Sequence, residues 1–352
     1  YGIVPQKDYF DKEISNVRNL SNYYIVDPDD FVYNPRISSL APVGPINRNK
    51  LNRIGVMSPL YTVFSTKLSI KSFLEYYFKT TKWHKFMKLN GDSGARSDRF
   101  TIKQSLFVKM PIVLPSEQEQ EKIGGFFSKL DRQIELEEKK LELLEQQKRG
   151  YMQKIFSQEL RFKDENGDEY LNWKTSQLGE ITKTFSGGTP KSNNAGYYNG
   201  DIPFIRSGEI SKQFTELKIT ENALNNSSAK LVEKGDLLYA LYGATSGEVA
   251  ISKINGAINQ AVLCIKSKES ISFLLNFLKL QKQHILKTYI QGGQGNLSAS
   301  IVKGITIKLP CREEQTKIGN FLDKVEILIE KQSTKVELLK QRKQGLLQKM
   351  FV

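Results

Sequence analysis

The chain has 352 residues, enough for two or more domains, and its 52 Lys and Arg against 38 Asp and Glu give a formal net charge of +14. Its two histidines and two cysteines have no metal-ligand spacing, which disfavours histidine-based catalysis, a zinc site or a disulfide scaffold and favours a reducing compartment. No apolar run approaches the roughly 18 residues of a membrane span. No signal-peptide pattern is present, although the first residue is Tyr1 rather than Met.

The excess positive charge lies in two blocks of the sequence. Residues 1–113 carry 17 basic and 9 acidic side chains, and residues 172–308 carry 16 basic and 9 acidic ones. Residues 114–171 are net acidic, and the last 44 residues are only weakly basic. Two basic blocks separated by an acidic segment are typical of surfaces that bind a polyanion.

The first block is predicted to mix strands and helices. Residues 23–33 predict a strand, a turn at Pro28–Asp30 and a second strand, and residues 55–65 predict another strand after a loop rich in Pro, Gly and Asn. Apolar residues at helical spacing predict a helix over residues 71–89. Residues 105–115 predict a strand that leads into the next segment.

A long charged helix occurs twice in the sequence. Residues 114–156 and 309–351 match without a gap at a constant offset of 195, and about half of the positions are identical. The matches include Leu114/Leu309, Pro115/Pro310, Glu119/Glu314, Gln120/Gln315, Gly124/Gly319, Gly150/Gly345 and Phe156/Phe351. A chance match of this length is not expected, so the chain contains an internal duplication.

Each copy of this helix has the period of a coiled coil, with apolar residues at alternating steps of four and three. The predicted seam consists of Ile134, Glu137, Leu141, Leu144 and Lys148 in the first copy and Ile329, Gln332, Val336, Leu339 and Lys343 in the second. An antiparallel pair with residue numbers summing to 480 places Glu137 opposite Lys343 and Lys148 opposite Gln332. A parallel pair would bury Lys148 against Lys343, which is costly, so we expect the antiparallel pair. Two unrelated surface helices with solvated charges are the alternative.

The second block, residues 172–308, follows an acidic connector, residues 158–171, with a turn at Asn166–Gly167. Strand-like segments are predicted within residues 201–267, and a helix over residues 270–289. This order of elements resembles that of the first block.

The two blocks repeat each other weakly. Residues 26–33 parallel residues 232–239, and the Phe-Leu, Lys and His spacing of residues 73–84 recurs at residues 273–284. On this alignment the first block has no counterpart to about residues 172–205. We therefore expect it to be incomplete at its N-terminus.

No catalytic motif is found in the sequence. The P-loop pattern is absent, and neither Gly-rich loop has the strand-to-helix context of a dinucleotide site. Residues 33–36 lack the second Pro and the aromatic residue of the Asn-Pro-Pro-aromatic motif of amino-methylating DNA methyltransferases, and no Glu-x-Lys strand of a nuclease follows Pro28–Asp30. A packing role is favoured over metal ligation for His84 and His284, which occupy matching positions on two predicted helices. We predict no active site.

Loop residues of both blocks have side chains suited to base edges and phosphates. Arg binds guanine or phosphate, Asn and Gln pair with adenine, and Ser, Thr and Gly supply donors to phosphate oxygens. The candidate DNA-binding residues are Asn34, Arg36, Ser38, Ser39, Ser58, Tyr61, Arg96, Ser97 and Arg99 in the first block, and Ser186, Gly187, Gly188, Thr189, Lys191, Arg206, Ser207, Tyr242, Thr245, Ser246, Asn259, Gln260, Gln294, Asn296 and Ser298 in the second. For any one of them a solvated loop residue is the simpler interpretation, but as a set on two basic blocks they favour DNA binding.

Several segments together form a family pattern. They are LPSEQEQEKI and LPCREEQTKI at the starts of the long helices, QKIF and QKMF at their ends, NWKTSQLGEI, FSGGTP, IPFIRSGEI, KGDLLYALYGATSGEVAI and INQAV in the second block, and YNPRISSLAPVG and GVMSPLY in the first. The combination covers essentially the whole chain, and it resembles the specificity subunits of type I restriction-modification systems.

The resemblance implies an α+β fold. Two mixed α/β target recognition domains, residues 1–113 and 172–308, are expected to be separated by two helices, residues 114–157 and 309–352, that form an antiparallel coiled coil, with residues 158–171 as connector. Each target recognition domain is expected to bind one half of a split, asymmetric site in double-stranded DNA, and the helices to fix the gap between the halves.

The resemblance also implies the partners. The helices are expected to dock two methyltransferase subunits that methylate adenine with S-adenosylmethionine, and restriction or translocase subunits join that complex. The chain itself is expected to be non-catalytic, to bind no cofactor, metal or membrane, and to act in the cytoplasm of a bacterium or archaeon. Two alternatives are a self-contained DNA methyltransferase or nuclease, which would be active alone, and a coiled-coil scaffold whose basic blocks bind acidic proteins.

Overall fold

The structure is a computed structural model that describes residues 2–8, 17–66, 71–93, 98–289 and 296–351. The chain divides into two compact units, unit 1 (Tyr1–Lys139 with Ser333–Val352) and unit 2 (Lys140–Gln332). Each unit therefore contains one globular block together with a segment of both long helices. Among the described residues, no helix is long and apolar enough to cross a membrane.

Unit 1 is built from short strands and helices. Its strands are β1 (Tyr24–Val26), β2 (Phe31–Tyr33), β3 (Ile46–Arg48), β4 (Gly55–Met57), β5 (Thr62–Phe64), β6 (Gly91–Asp92) and β7 (Thr101–Ile102). Its helices are α1 (Lys71–Tyr77), α2 (His84–Asn90), α3 (Gln104–Phe107) and the first part of the long helix α4 (Glu117–Phe156), with 3-10 turns at Gln6–Asp8 and Val17–Asn22. β2 lies between β3 and β5, β1 pairs with β4, and β6 pairs with β7, all antiparallel.

Two predicted strands in unit 1 are wrong. Residues 55–65 form two strands, β4 and β5, because the Tyr61 N–H donates to the Ser58 carbonyl (3.0 Å) and turns the chain between them. Residues 105–115 form no strand with any described neighbour. Instead α3 ends at Phe107, which is buried in an aromatic cluster of the core.

The predicted helix over residues 71–89 is two helices, α1 and α2. The Thr80 hydroxyl donates to the Tyr77 carbonyl (2.7 Å), and the Trp83 indole N–H donates to the Phe78 carbonyl (3.1 Å). These side chains take carbonyls that a continuous helix would bond through its backbone, so the helix ends here and begins again at α2.

Unit 2 contains most of the sheet structure. Its strands are β8 (Lys174–Gln177), β9 (Thr182–Ser186), β10 (Tyr198–Ile205), β11 (Lys218–Ile219), β12 (Lys230–Val232), β13 (Leu237–Ala240), β14 (Val249–Ile251), β15 (Gly256–Ile258), β16 (Val262–Ser267) and β17 (Thr306–Leu309). Its helices are α5 (Leu178–Ile181), α6 (Glu221–Asn225), α7 (Ile271–Tyr289), α8 (Ala299–Lys303) and the long α9 (Arg312–Met350), which ends in unit 1, with 3-10 turns at Ala195–Tyr197 and Ser207–Glu209.

The strands of unit 2 form two four-stranded sheets and a ribbon. One sheet has the order β14-β13-β16-β9 and is antiparallel, and the other has the order β11-β10-β15-β12. β10 and β15 run parallel, and β8 pairs with β17. All four residues of β13 are buried: Leu237 and Tyr239 face the cluster that contains Phe273 of α7, whereas Leu238 faces the second sheet. A strand covered on both faces is apolar throughout, which explains the LLYA run.

The start of each long helix packs closely on the globular block of its own unit. A Cβ at Gly124 of α4 would lie 2.3 Å from the Ser72 hydroxyl, and one at Gly319 of α9 would lie 3.1 Å from Ser272. Ser72 and Ser272 occupy the first turns of α1 and α7. The glycine shared by the two sequence repeats therefore permits the same close approach of two helices in each unit.

The end of each long helix packs in the core of the globular block that belongs to the same unit as that helix end. Phe351, after α9, lies 5.2 Å from Phe73 of α1, and Phe156, at the end of α4, lies 5.2 Å from Phe273 of α7 (ring centroids). The QKIF and QKMF segments thus place equivalent phenylalanine rings, Phe156 and Phe351, in the two cores. Each globular core is completed by residues distant from it in sequence.

The long helices are antiparallel within each unit, as predicted. The contacts that show it are Asp131 with Lys343 and Glu137 with Lys335 in unit 1, and Lys148 with Glu326 and Tyr151 with Phe321 in unit 2. As the residue number rises along α4, the number of the contacting residue on α9 falls, which is the pattern of antiparallel helices. The ten predicted seam positions are all buried or half-buried.

The predicted register of the helices is wrong by about one heptad. The sequence predicts Gln332 as the partner of Lys148, but the Lys148 ammonium lies 2.6 Å from Glu326. Lys343 likewise contacts Asp131. A lysine stem lies in the apolar seam while its ammonium reaches an acid that flanks the seam on the partner helix, so these lysines need no acid inside the seam.

The connector after α4 is held against the start of α9. The Arg161 guanidinium donates to both carboxylate oxygens of Glu314 (2.7 and 2.9 Å), and the Trp173 indole N–H donates to the same carboxylate (3.0 Å). Glu314 is fully buried. The predicted turn is present: Gly167 has φ +89°, and the Asn166 N–H donates to the Asp164 carboxylate.

Candidate nucleic-acid interface

Four strands of unit 2 end at the same side of their sheets. Ser186 of β9 and Ala240 of β13 pair with the first two residues of β16, and Ile205 of β10 pairs in parallel with Ile258 of β15. The loops that follow these strands form what we call the unit 2 edge, which contains the predicted residues 186–191, 206–207, 242–246 and 259–260.

Hydrogen bonds join the loops of the unit 2 edge. The Gly187 N–H donates to the Asn259 carbonyl (3.2 Å), and the Thr189 hydroxyl donates to the Gln260 side chain (2.6 Å). Burial raises the pKa of Tyr242, and a hydrogen bond with Gln260 lowers it in part. Three of the predicted loops are therefore linked through one glutamine.

The glycines of the SGGTP motif are required by packing. A Cβ at Gly187 would lie 1.7 Å from the Ile258 carbonyl oxygen, and one at Gly188 would lie 2.5 Å from the Ser228 side chain. The Gly187 N–H, predicted as a phosphate donor, is already used within the protein. These glycines place the neighbouring Thr189, which is exposed, rather than contacting a ligand themselves.

Arg206 is held by two carboxylates at the unit 2 edge. Its guanidinium donates to Glu209 (3.0 and 3.1 Å) and to Glu216 (2.5 Å). Burial acts to raise the pKa of Glu209, but hydrogen bonds from Arg206 and from the backbone hold that pKa below its usual value. The arginine predicted to bind a base or phosphate thus closes the loop that contains it. Sequence analysis missed both acids, although the spacing of three between Arg206 and Glu209 is one available signal.

The remaining predicted residues of unit 2 differ in exposure. Lys191, Gln260, Asn296 and Ser298 are exposed, and Ser186, Ser207, Tyr242, Thr245, Ser246 and Asn259 are half-buried. The Leu297 N–H donates to the Leu241 carbonyl (2.8 Å), which brings the loop of Asn296 and Ser298 to the unit 2 edge. The Ser298 hydroxyl also accepts from the Ile301 N–H as the N-cap of α8.

The corresponding edge of unit 1 lies beyond the end of β2. Tyr33, the last residue of β2, pairs with Ile46 and Thr62 at the starts of β3 and β5, so the loops of residues 34–45 and 58–61 meet there. These loops and residues 98–100 form what we call the unit 1 edge. The predicted residues Ser38, Ser39, Ser58 and Tyr61 lie in it. Ser38 and Ser39 are exposed, and Ser58 and Tyr61 are half-buried.

Two arginines lie opposite each other at the unit 1 edge. The Ile37 N–H donates to the Asp98 carbonyl (3.0 Å) and the Phe100 N–H to the Pro35 carbonyl (2.7 Å), which pairs Arg36 with Arg99. The Asn34 side chain accepts from the Arg36 N–H (3.0 Å) and fixes the turn before it. Arg36 is exposed and has no ion-pair partner among the described residues, whereas Arg99 lies 3.9 Å from the Asp98 carboxylate. Arg96, Ser97 and Gln294 lie outside the described residues.

The described residues contain no group of three or more His, Cys, Asp or Glu that could hold a metal ion. The His84 ring lies edge-on to Trp83 (4.7 Å), and burial lowers its pKa. His284 is exposed. The predicted packing role therefore holds for His84 alone.

Comparison with known families finds a match over two segments. The family described as the type I restriction modification DNA specificity domain matches residues 17–146 and 170–340, which together make up most of the chain. Each matched segment contains one globular block and part of a long helix.

Curated relatives and solved structures agree with this family. The chain is 28% identical over 262 residues to a Methanocaldococcus jannaschii protein named as the MjaX specificity subunit of a type I restriction enzyme (70% of this chain, 60% of the relative). It is 28% identical over 169 residues to the EcoR124I/EcoR124II specificity subunit of Escherichia coli (45% and 41%). The chain thus spans 60% or less of the length of these relatives.

Two solved structures show the same fold. One comes from a study of complex assembly and conformational transition of the type I R-M system, with TM-score 0.61, 17% identity, and coverage of 94% of this chain and 84% of that chain. The other is the type I restriction-modification S subunit of M. genitalium, with TM-score 0.56, 16% identity, and coverage of 97% and 87%.

Proposed function

The chain belongs to the family of the type I restriction modification DNA specificity domain, and we propose that it recognises DNA sequence for a type I restriction-modification complex. The unit 1 edge and the unit 2 edge each bind one half of a split, asymmetric site in double-stranded DNA. The Lys and Arg of the two blocks supply sequence-independent affinity by displacing counterions from the phosphates.

The observation that carries this proposal is the pairing of Arg36 with Arg99 at the unit 1 edge. Like charges directly opposite each other on paired segments are destabilising. An anion or a base edge with two acceptors removes that cost, and a phosphate or the O6 and N7 of guanine offers both. The arrangement is therefore best explained by a nucleic-acid ligand.

The unit 2 edge supports the same interpretation by its rigidity. Loops joined by the Thr189–Gln260 hydrogen bond and the Gly187–Asn259 hydrogen bond lose little conformational entropy when a ligand binds. The exposed Lys191 is available for phosphate.

The long helices set the spacer between the half-sites and dock two methyltransferase subunits. Large apolar side chains at matching positions support two docking sites: Leu143 and Leu338, separated by the repeat offset, are 51% and 59% exposed. A single exposed leucine is ordinary on a protein surface, and it is the recurrence of this leucine at the same position of both repeats that supports a shared contact. One such leucine lies in each unit, so one copy of the same partner binds at each.

The chemistry of the complex belongs to the partners. The methyltransferase subunits bind S-adenosylmethionine and methylate adenine, and restriction or translocase subunits join the complex. This chain contributes sequence recognition and no catalytic group, in the cytoplasm of a bacterium or archaeon.

The proposal is tested by mapping adenine methylation on DNA incubated with the chain, with its cognate methyltransferase subunit, and with both. We expect methylation at one split motif only when both are present, because recognition and catalysis lie on different chains. Methylation by this chain alone would establish a self-contained methyltransferase. A stable complex that methylates no DNA would support the scaffold alternative.

A further inference from the structure

In unit 1, three structural elements meet at the Asp131 carboxylate of α4. It contacts the Lys343 ammonium of α9, accepts a hydrogen bond from the Tyr76 hydroxyl of α1 (2.9 Å), and lies 3.7 Å from the Lys79 ammonium just after α1. Tyr76 is fully buried, and the Lys343 side chain is 19% exposed. One charge therefore joins the globular block to both long helices.

Unit 2 repeats this arrangement with the two long helices exchanged. The Glu326 carboxylate of α9 lies 2.6 Å from the Lys148 ammonium of α4 and 3.7 Å from the Lys279 ammonium of α7. The Lys148 side chain is 10% exposed. A helix of the globular block, α7, and the two long helices, α9 and α4, again meet at one carboxylate.

The two clusters are equivalent under the sequence repeat. The offset of 195 relates Asp131 to Glu326 and Lys148 to Lys343, so both the acid and the seam lysine recur. The acid differs in length between the copies but keeps two lysine partners, one on the other long helix and one from the globular block. A contact that recurs with a changed side chain is a constraint on geometry rather than a by-product of sequence identity.

The helix register needs such a constraint. An apolar seam that repeats every heptad is compatible with registers one heptad apart, and polar positions select among them. A shift by a heptad to the register with residue numbers summing to 480 would place Lys343 opposite Glu137 but Lys148 opposite the neutral Gln332. The Lys148 ammonium, on a side chain only 10% exposed, would then lose its carboxylate, which is costly. The clusters therefore favour the observed register strongly over its neighbours.

We propose that Asp131 and Glu326 are positioning residues that determine which separation of the two DNA half-sites the chain accepts. Each acid fixes one globular block on the helices and the helices in one register, so it limits how far the bound half-sites can differ in spacing. This inference rests on the proposed function, since spacing has meaning only for a chain that binds a split site.

The test uses the full chain with its methyltransferase subunit and a DNA library that holds the mapped half-sites at spacers shorter or longer by one or two base pairs. The variants are Asp131→Asn, Glu326→Gln and the double variant. Glu138→Gln is the matched control, because it removes an exposed ion pair with Lys340 (2.6 Å) between the same two helices. Asp131→Glu and Glu326→Asp exchange the acids found in the two repeats.

We expect the double variant to lose about tenfold of its preference for the correct spacer over its neighbours, the size of a typical coupling between sites, and each single variant to lose less. The half-site sequences stay unchanged in every variant. The control and the two acid exchanges keep the parental preference. A merely stabilising role would lower the melting temperature without changing the spacer preference, and that result would overturn the proposal.

A second pair of variants covers the case in which the double variant does not fold. Lys79→Met combined with Tyr76→Phe in unit 1, and Lys279→Met in unit 2, leave both helix–helix ion pairs in place and remove the contacts of each block with its acid. A broadened spacer preference in these variants supports the proposal, and an unchanged one overturns it. If the unaltered chain yields no split motif at all, the proposed function fails instead, so the two failures are distinguishable.

Discussion

Unit 1 and unit 2 anchor their globular blocks to the long helices in the same way, but the unit 1 edge and the unit 2 edge are built differently. At the unit 1 edge Arg36 lies opposite Arg99, whereas at the unit 2 edge the loops are tied together through Thr189 and Gln260. The duplicated part of the sequence is the part that anchors, and the divergent part is the part that faces outward. The chain therefore combines two different edges with one repeated pair of helices.

A second difference lies within the repeat itself. Glu314 at the start of α9 is fully buried and holds Arg161 of the connector and Trp173 just after it, whereas its repeat counterpart Glu119 at the start of α4 is exposed. Identical residues at equivalent helical positions thus have different roles, because the connector reaches only one of them. Sequence identity between the repeats shows their common origin, but the role of each glutamate depends on the segment that packs beside it.

The largest effect is expected from removing the ring that completes a core. Phe351→Ala should destabilise unit 1 by about 3–5 kcal/mol, the cost of emptying a buried aromatic site, because Phe351 is 6% exposed and packs on Phe73. Phe156→Ala should destabilise unit 2 by less, since Phe156 is half-buried. Hydrogen exchange measured by peptide separates the units. Equal loss of protection in both units for either variant would contradict the assignment of each ring to one core.

The next effect contrasts the two glutamates of the repeat. Glu314→Gln should cost about 3 kcal/mol, because it leaves the Arg161 guanidinium, 18% exposed, without its charged partner. Glu119→Gln should change stability by less than about 0.5 kcal/mol, as is usual for a surface substitution. Chemical denaturation of both variants under one protocol gives the comparison. Similar costs at the two positions would mean that the connector contact contributes little.

A smaller effect is expected at the two edges, on recognition rather than stability. Arg36→Ala should relax base preference in one half-site only, and the double change Thr189→Ala with Gln260→Ala in the other half-site only. Each should lose about 1–3 kcal/mol of discrimination, the value of one good base contact. The readout is the methylated motif of each variant with the methyltransferase subunit. A variant that alters both half-sites together would refute separate recognition by the two edges.

The smallest effect concerns acid stability. Burial acts to raise the pKa values of Asp131 and Glu326, but their lysine contacts hold both pKa values below the ordinary range. A carboxyl group whose pKa is depressed by folding stabilises the fold above its unfolded pKa of about 4, and this contribution is lost as the pH falls towards the folded value. Asp131→Asn and Glu326→Gln should therefore show a shallower loss of stability below about pH 4 than the parent chain. If the stability of the parent chain and of both variants fell equally steeply with decreasing pH, the two carboxylates would not be the origin of the acid sensitivity.

The sequence predicts the helical frame well, because that frame depends on local and repeated signals. The heptad steps and the constant offset between the copies specify two long helices, and the paired lysines Lys148 and Lys343 exclude a parallel arrangement. The register is mispredicted, because a lysine in the seam reaches past the facing residue to an acid beside the seam. Side-chain reach of this kind is not visible in a one-dimensional pattern.

The edges are predicted less well, because their contacts join residues that are distant in sequence. Considered as an isolated side chain, the Arg206 guanidinium is suited to bind guanine. In the folded chain Glu216 lies beside it and accepts its hydrogen bond. The SGGTP glycines suggest phosphate donors, but the close approach of the Ile258 carbonyl explains Gly187. Residue type indicates what a side chain is able to bind, and only the fold shows which partner it has.

The division of the chain has a consequence for its synthesis. Unit 2 is one continuous segment, whereas unit 1 needs the final stretch that begins at Ser333 and contains Phe351. A ribosome that makes the protein from its N-terminus completes the central segment first and supplies the missing part of the opening segment last. A premature stop just after Gln332 would therefore remove only residues that belong to unit 1, so the core around Phe73 would lack Phe351 while unit 2 kept all of its residues.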